Sequence, residues 1–231
     1  MKIEVFSDSE SVATRGATLI AAAAREAVAA RGTFTMAVSG GHTPWRMLAA
    51  LITEELPWQG VQILQVDERV APPGDPDRNL AHLQESLLSK VPITAEQIHA
   101  MPVEHIDLES AARQYAKTLT ELAGEPAVLD LIHLGLGPDG HTSSLIPNDP
   151  VLEATDRDVA VTGFYQDRRR MTVTYPTLNR ARQILWLVTG ADKIDALARL
   201  RRGDPSIPGG RVANTHMVVL ADTAAAGSSM P

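Results

Sequence analysis

Short, fully apolar runs alternate along this chain with stretches in which apolar residues recur every three or four positions. These are the spacings of buried strands and of amphipathic helices. Residues 3–6 predict a first strand. Ser7 to Ser11 then offers N-cap residues and acids, and a helix-favouring run continues to Ala30 before Gly32 stops it. Residues 33–38 predict a second, buried strand, ending in Ser39-Gly40-Gly41-His42-Thr43-Pro44. Behind it Trp45, Leu48, Ala49, Ile52 and Leu56 fall at helical spacing. Thr43 suits the N-cap of that helix, and Pro44 its first position, where a missing N–H is harmless. Residues 61–66 predict a third strand running straight into Asp67-Glu68-Arg69, and 71–79, with three prolines and a glycine, an irregular loop. Helices are expected at 80–88 and 108–123, and a buried strand at 129–134. Beyond Pro147 the pattern is less regular. It predicts strands at 159–162, 171–175, 184–189 and 217–220, a helix at 191–200, a Gly/Pro loop at 201–211 and a loose tail at 224–231.

No internal repeat, low-complexity segment or linker separates two cores, so one domain spanning 1–231 is expected. Strands alternating with helices predict an α/β fold with a mostly parallel sheet covered on both faces. In such sheets ligands sit beyond the carboxyl ends of the strands. Ser39–Pro44, Asp67–Arg69, the loop after Leu134 and the turn from Gly190 to Lys193 all follow directly after strands, so all four should face one edge.

Composition narrows the chemistry. A hydrophobic content of 44% is ample for a core, and 21% charged residues is ordinary. The formal charge of −7 argues against a nucleic-acid binder. The absence of cysteine excludes disulfides and thiolate chemistry. Acids near the N-terminus argue against a secretory signal, and the most apolar helical stretch, 17–30, is short and interrupted by Arg25 and Glu26. The expectation is a cytoplasmic protein without membrane attachment.

The densest chemistry lies at 129–147, LDLIHLGLGPDGHTSSLIP, where glycines punctuate a turn beside Asp139, His141 and three hydroxyls. Gly135-x-Gly137-x-x-Gly140 formally matches a dinucleotide fingerprint, but Pro138 and Pro147 leave little room for the helix it needs. Ala37-Val38-Ser39-Gly40-Gly41 resembles a nucleophile elbow, yet two strands before Ser39 are too few for that fold. The plainer interpretation of 39–44 is an anion cradle at a helix N-terminus. His141, two residues from a carboxylate that can orient it, suits proton abstraction near neutral pH. His133, mid-strand, reads as a core residue, and His42, His82, His99, His105 and His216 show no evident partners. Arg69 can hold a carbonyl or oxyanion through its planar fork. One arginine of the triplet 168–170 can point inward, and Lys193 at a helix start hints at an anion. No metal site is expected.

Together SGGHTP at 39–44, DER at 67–69, GLGPDGHTSSLIP at 135–147, RRMTVTYPTLN at 169–179 and LVTGADK at 187–193 resemble the 6-phosphogluconolactonase family, part of a larger group with the glucosamine-6-phosphate deaminases. The resemblance implies a three-layer α/β/α sandwich with a Rossmann-like sheet and no cofactor. It also implies hydrolysis of 6-phospho-D-glucono-1,5-lactone to 6-phospho-D-gluconate in the oxidative pentose phosphate pathway. It would make His141 the general base, Asp139 its orienting partner and Arg69 the group at the carbonyl. Ser39, Gly40, Gly41 and Thr43, with Arg170 and Lys193, would hold the 6-phosphate. Asp67 would belong to the substrate site, while its role and that of Asn79 stay open. The partner would be a small phosphorylated lactone, and the protein a monomer or small homo-oligomer. Two alternatives stand beside this: a deaminase-like sugar-phosphate enzyme and a non-catalytic sugar-phosphate-binding regulator. The deaminases need an acid where Ile146 stands and tend to have an aromatic residue at Arg69, while a regulator would not need His141. Arg78, His42 and Ser143 depart from the residues common at those positions.

Overall fold

The apolar runs pair into a seven-stranded parallel sheet in the computed structural model, which describes residues 1–227. In chain order the strands are β1 (Lys2–Phe6), β2 (Phe34–Val38), β3 (Val61–Gln65), β4 (Asp67–Arg69), β5 (Ile98–His99), β6 (Leu131–Gly135), β7 (Val159–Val161), β8 (Arg170–Val173), β9 (Ile184–Val188) and β10 (Met217–Asp222). The main sheet runs β1-β10-β9-β6-β2-β3-β5, and a small antiparallel sheet runs β4-β8-β7. The helices are α1 (Ser9–Arg31), α2 (His42–Leu51), α3 (Asn79–Ser86), α4 (Leu108–Ala123), α5 (Tyr175–Arg180), α6 (Ile194–Arg201) and α7 (Thr223–Ala226).

Alternation along each strand divides the core into two layers. Phe34, Met36, Val38, Leu131, Leu185 and Leu187 pack with Ile20, Met47 and Leu83 from α1–α3. Ala37, Ile132, Leu134, Ile184 and Trp186 face the other way, onto Tyr115, Leu178, Leu197 and Ala225 from α4–α7. Because both faces are covered, the central strands are apolar at nearly every position, as the sequence pattern indicated. This is the three-layer α/β/α sandwich. Among the described residues no helix is long and apolar enough to cross a membrane. Asp8 and Asp107 cap α1 and α4, accepting from Ser11 N at 2.8 Å and Ser110 N at 3.0 Å.

The order of the strands locates the site. The chain lays β2, β3 and β5 outward in one direction, then returns to put β6 on the other side of β2. The carboxyl ends of β2 and β6 thus flank a topological switch point.

Several expectations are corrected. Residues 67–69 do not prolong the third strand: after a bend at Val66 they form β4, antiparallel to β8, with Arg69 opposite Arg170. The helix after Ser39 begins at His42 with Gly41 as its N-cap residue, so Thr43 lies inside it; the Thr43 hydroxyl instead meets Thr189 Oγ1 at 2.7 Å. Residues 191–193 form a 3-10 turn, leaving Lys193 at the N-cap of α6. Tyr175 opens α5 rather than ending a strand, with Pro176 in its first turn. The short edge strand β5 carries no usable period, and residues 224–226 of the expected tail belong to α7, which starts at Thr223. Residues 228–231 lie outside the described part.

Candidate active site

A cavity of about 460 Å³ opens at the switch point. All four segments that follow strands contribute to it: Ser39, Gly40, Gly41 and Thr43 after β2, Asp67 and Arg69 in β4, Gly135–Pro138 and His141 after β6, and Thr189 and Lys193 after β9. Arg170 joins them from β8.

The loop after β6 is folded tightly on itself. Gly137 N donates to His141 O at 2.8 Å, Gly140 N to Gly137 O at 2.9 Å and Thr142 Oγ1 to Gly135 O at 2.8 Å. Position 137 must be glycine, since a Cβ there would overlap the imidazole of His141. No helix opens within Gly135–Gly140, in keeping with the rejected dinucleotide motif. The turn brings Asp139 Oδ1 to 2.6 Å from His141 Nδ1, and the same oxygen accepts from His141 N at 3.1 Å. A carboxylate at Nδ1 fixes the proton there and leaves Nε2 with its lone pair. Burial alone would raise the Asp139 carboxyl, but the amide and imidazole of His141 outweigh it and hold the group below its usual value. His141 is half-buried, and its ring also lies edge-on to Tyr165, 5.9 Å between centroids.

The loop beyond it is anchored to the small sheet. Ser143, at φ 54, donates to Val66 O at 3.1 Å and contacts Thr172 Oγ1 at 2.9 Å. Ser144 Oγ donates to Asp67 Oδ2 at 2.6 Å, and Asn79 Nδ2 donates to Asp67 O at 3.0 Å. Asp67 is therefore buried, oriented and able only to accept.

Two guanidinium groups stand side by side on the small sheet. Like charges directly opposite on paired strands are destabilising, and Arg69 faces Arg170 in register. Arg69 donates to Asp77 O, while its Nε and that of Arg170 are buried without partners. Burial, together with the Arg69 charge, lowers Arg170 below the usual guanidinium value against the opposing pull of Asp67. Such a pair is what an anion would relieve. Of the triplet, only Arg170 lines the cavity; Arg168 pairs with Asp75 and Asp77 at 3.1 and 3.0 Å, and Arg169 with Glu109 at 3.7 Å. Lys193 also lines it, paired with Asp192 at 2.9 Å.

Across the cavity wall, Gly41 adopts φ 126, a conformation only glycine holds without strain, and turns the chain into α2. The first N–H groups of a helix lack intrahelical acceptors, so this corner presents donors to the cavity.

Three features escaped the sequence. Glu68, fully buried, accepts from Arg69 N, Asn79 N and Leu80 N, each at 2.8 Å, and from Gln65 Nε2 at 2.9 Å. Trp45 stacks on His82 at 3.9 Å with His42 edge-on, forming an aromatic rim by the glycine loop. His133 is buried as expected, yet its Nδ1 accepts from Ser39 N at 3.3 Å. Among the described residues no group of three or more His, Asp or Glu could hold a metal ion.

A family model described as glucosamine-6-phosphate isomerases/6-phosphogluconolactonase matches residues 7–221. The chain is similar to the 6-phosphogluconolactonase of Nostoc sp., 37% identical over 202 residues that cover 86% of this chain and 84% of that protein. Among solved structures, the 6-phosphogluconolactonase from Trypanosoma cruzi matches with a TM-score of 0.88 and 23% identity over 100% of this chain and 97% of that one. A monomeric glucosamine-6-phosphate deaminase matches with a TM-score of 0.84 and 20% identity over 98% and 99%. The last two likenesses establish the fold and do not separate the two chemistries.

Proposed function

The chain belongs to the glucosamine-6-phosphate isomerase/6-phosphogluconolactonase family, and from that premise we infer that it hydrolyses 6-phospho-D-glucono-1,5-lactone to 6-phospho-D-gluconate. The observation that carries the reaction class is His141, held at Nδ1 by Asp139 at 2.6 Å, in a cavity also lined by Arg69, Arg170 and Lys193. One end can activate water; the rest can hold an anionic sugar.

In the proposed mechanism His141 Nε2 removes a proton from water as its oxygen bonds to the lactone carbonyl carbon. The carbonyl π electrons move onto oxygen, and the Arg69 guanidinium stabilises that developing charge. As the carbonyl re-forms, the bond from carbon to the ring oxygen breaks, and the imidazolium returns its proton to that oxygen. The product acid then ionises, so one water is consumed and one proton released. Asp139 keeps the imidazole in its productive tautomer and supports the imidazolium.

The 6-phosphate is assigned to Ser39, Gly40, Gly41 and Thr43 with Arg170 and Lys193. Asp67 accepts only, so its proposed partner is a sugar hydroxyl, not the phosphate. Asn79 is assigned to holding Asp67. Lys193→Ala is expected to raise KM for the phosphorylated lactone by about ten- to a hundredfold, the worth of one charge-assisted contact. Steady-state kinetics with spontaneous hydrolysis subtracted test this, and an unchanged KM removes Lys193 from the phosphate site.

The deaminase alternative lacks an acid at Ile146, which is buried. A binding-only protein would leave the oriented Asp139–His141 pair without a task.

A further inference from the structure

The ladder between β2 and β6 is short. It pairs Met36 with Leu131 and Ala37 with Ile132, whereas β2 stays in register with β3 through Val38. Beyond Ala37 the two strands part, and this separation opens the crevice that holds the cavity. Ser39 lies just past the separation, and among the described residues its N–H donates to no backbone carbonyl. A buried N–H needs an acceptor.

His133 supplies it. The ring is fully buried, on the face of β6 that carries Leu131 and packs with α1–α3, and its Nδ1 accepts from Ser39 N at 3.3 Å. Burial pushes the imidazole down to about 3, so it is neutral and keeps a lone pair for that contact. The proton must then sit on Nε2, which is buried without a partner. A leucine at this position would avoid that orphaned N–H and pack as well against the surrounding apolar side chains. The imidazole therefore carries a cost that core packing alone does not explain.

We propose that His133 is a positioning residue. It takes up the hydrogen bond that the parting strands drop, and so holds the Ser39–Thr43 loop in its anion-binding form. The proposal rests on that loop holding the 6-phosphate.

His133→Leu removes the acceptor, and His133→Asn retains one near the level of Nδ1. The leucine variant is expected to raise KM for the phosphorylated lactone, and the inhibition constant of inorganic phosphate, by about tenfold, with KM rather than kcat carrying the loss. Amide hydrogen exchange at Ser39 should quicken, and the asparagine variant should restore all three readouts towards wild type. Thr43→Ala, measured in parallel, reports on the phosphate assignment itself. Unchanged exchange at Ser39 overturns the proposal. So does an unchanged KM in His133→Leu while Thr43→Ala raises it, and in that case the phosphate assignment survives. If Thr43→Ala also leaves KM unchanged, the assignment fails and the proposal with it. Nitrogen-15 shifts of the wild-type ring need no variant to fold: a proton on Nδ1 would overturn the proposal, and one on Nε2 supports it.

Discussion

Replacing His141 by alanine should lower kcat for lactone hydrolysis by about two to four orders of magnitude, the range general-base groups contribute. The expectation follows from geometry. Asp139 occupies Nδ1 at 2.6 Å and leaves the other ring nitrogen as the basic one, and His141 lines a cavity of about 460 Å³. His141 is half-buried in a surface loop, so the variant should keep its stability within roughly 0.5 kcal/mol. The loss should therefore fall on kcat, with little change in KM. A variant retaining near wild-type kcat above the no-enzyme rate would remove His141 from the reaction. With Asp139 proposed to act through His141, Asp139→Asn should lower kcat less than His141→Ala does.

The second large effect concerns stability and arises at Glu68, which is fully buried and does not itself line the cavity. Its carboxylate gathers the backbone N–H groups of Arg69, Asn79 and Leu80 and the side-chain amide of Gln65, and it lies 3.6 Å from the buried Arg78 guanidinium. Arg78 also pairs with Glu104, but its Nη2 has no partner. Glu68→Gln keeps the shape, yet turns an NH₂ group towards donors and leaves Arg78 with less compensating charge. A loss of about 3–5 kcal/mol is expected, as for breaking a buried ion pair from one side. For a chain of this size that is a fall in melting temperature of roughly 6–20 °C. Urea and thermal unfolding check it, and a change below about 0.5 kcal/mol would mean the carboxylate is dispensable. Arg69 and Asn79, whose backbone N–H groups Glu68 holds, both line the cavity, so activity should decline together with stability.

Much of the architecture was legible because the central strands are buried on both faces and therefore read as unbroken apolar runs. The helix at 108–123 was equally plain, with Tyr115 and Leu119 on its buried stripe and Gly124 beyond it. The clustering of loops at one edge followed from the rule for parallel sheets, and the cavity lies there. What stayed hidden depends on contacts between distant residues. Nothing local in Val66-Asp67-Glu68-Arg69 marks where one sheet ends and another begins; the bend is set by pairing with β8, about a hundred residues later in the chain. Thr43 looked like an N-cap because serine and threonine favour that place, but Gly41 starts the helix earlier and the Thr43 hydroxyl goes to Thr189. The helix at Tyr175–Arg180 was readable in principle from Thr174 and Pro176, but its six residues are too few to show a period. His133 fitted a core residue on burial, while its bond to Ser39 depends on how β2 and β6 separate.

The decisive measurement is a side-by-side assay of the purified protein on 6-phospho-D-glucono-1,5-lactone and on glucosamine-6-phosphate, with the spontaneous lactone rate subtracted and His141→Ala as control. The expected result is His141-dependent acid release from the lactone and no ammonia from the amino sugar. Ammonia release, or lactone opening no faster than the no-enzyme rate, would contradict the assignment of this cavity to lactone hydrolysis.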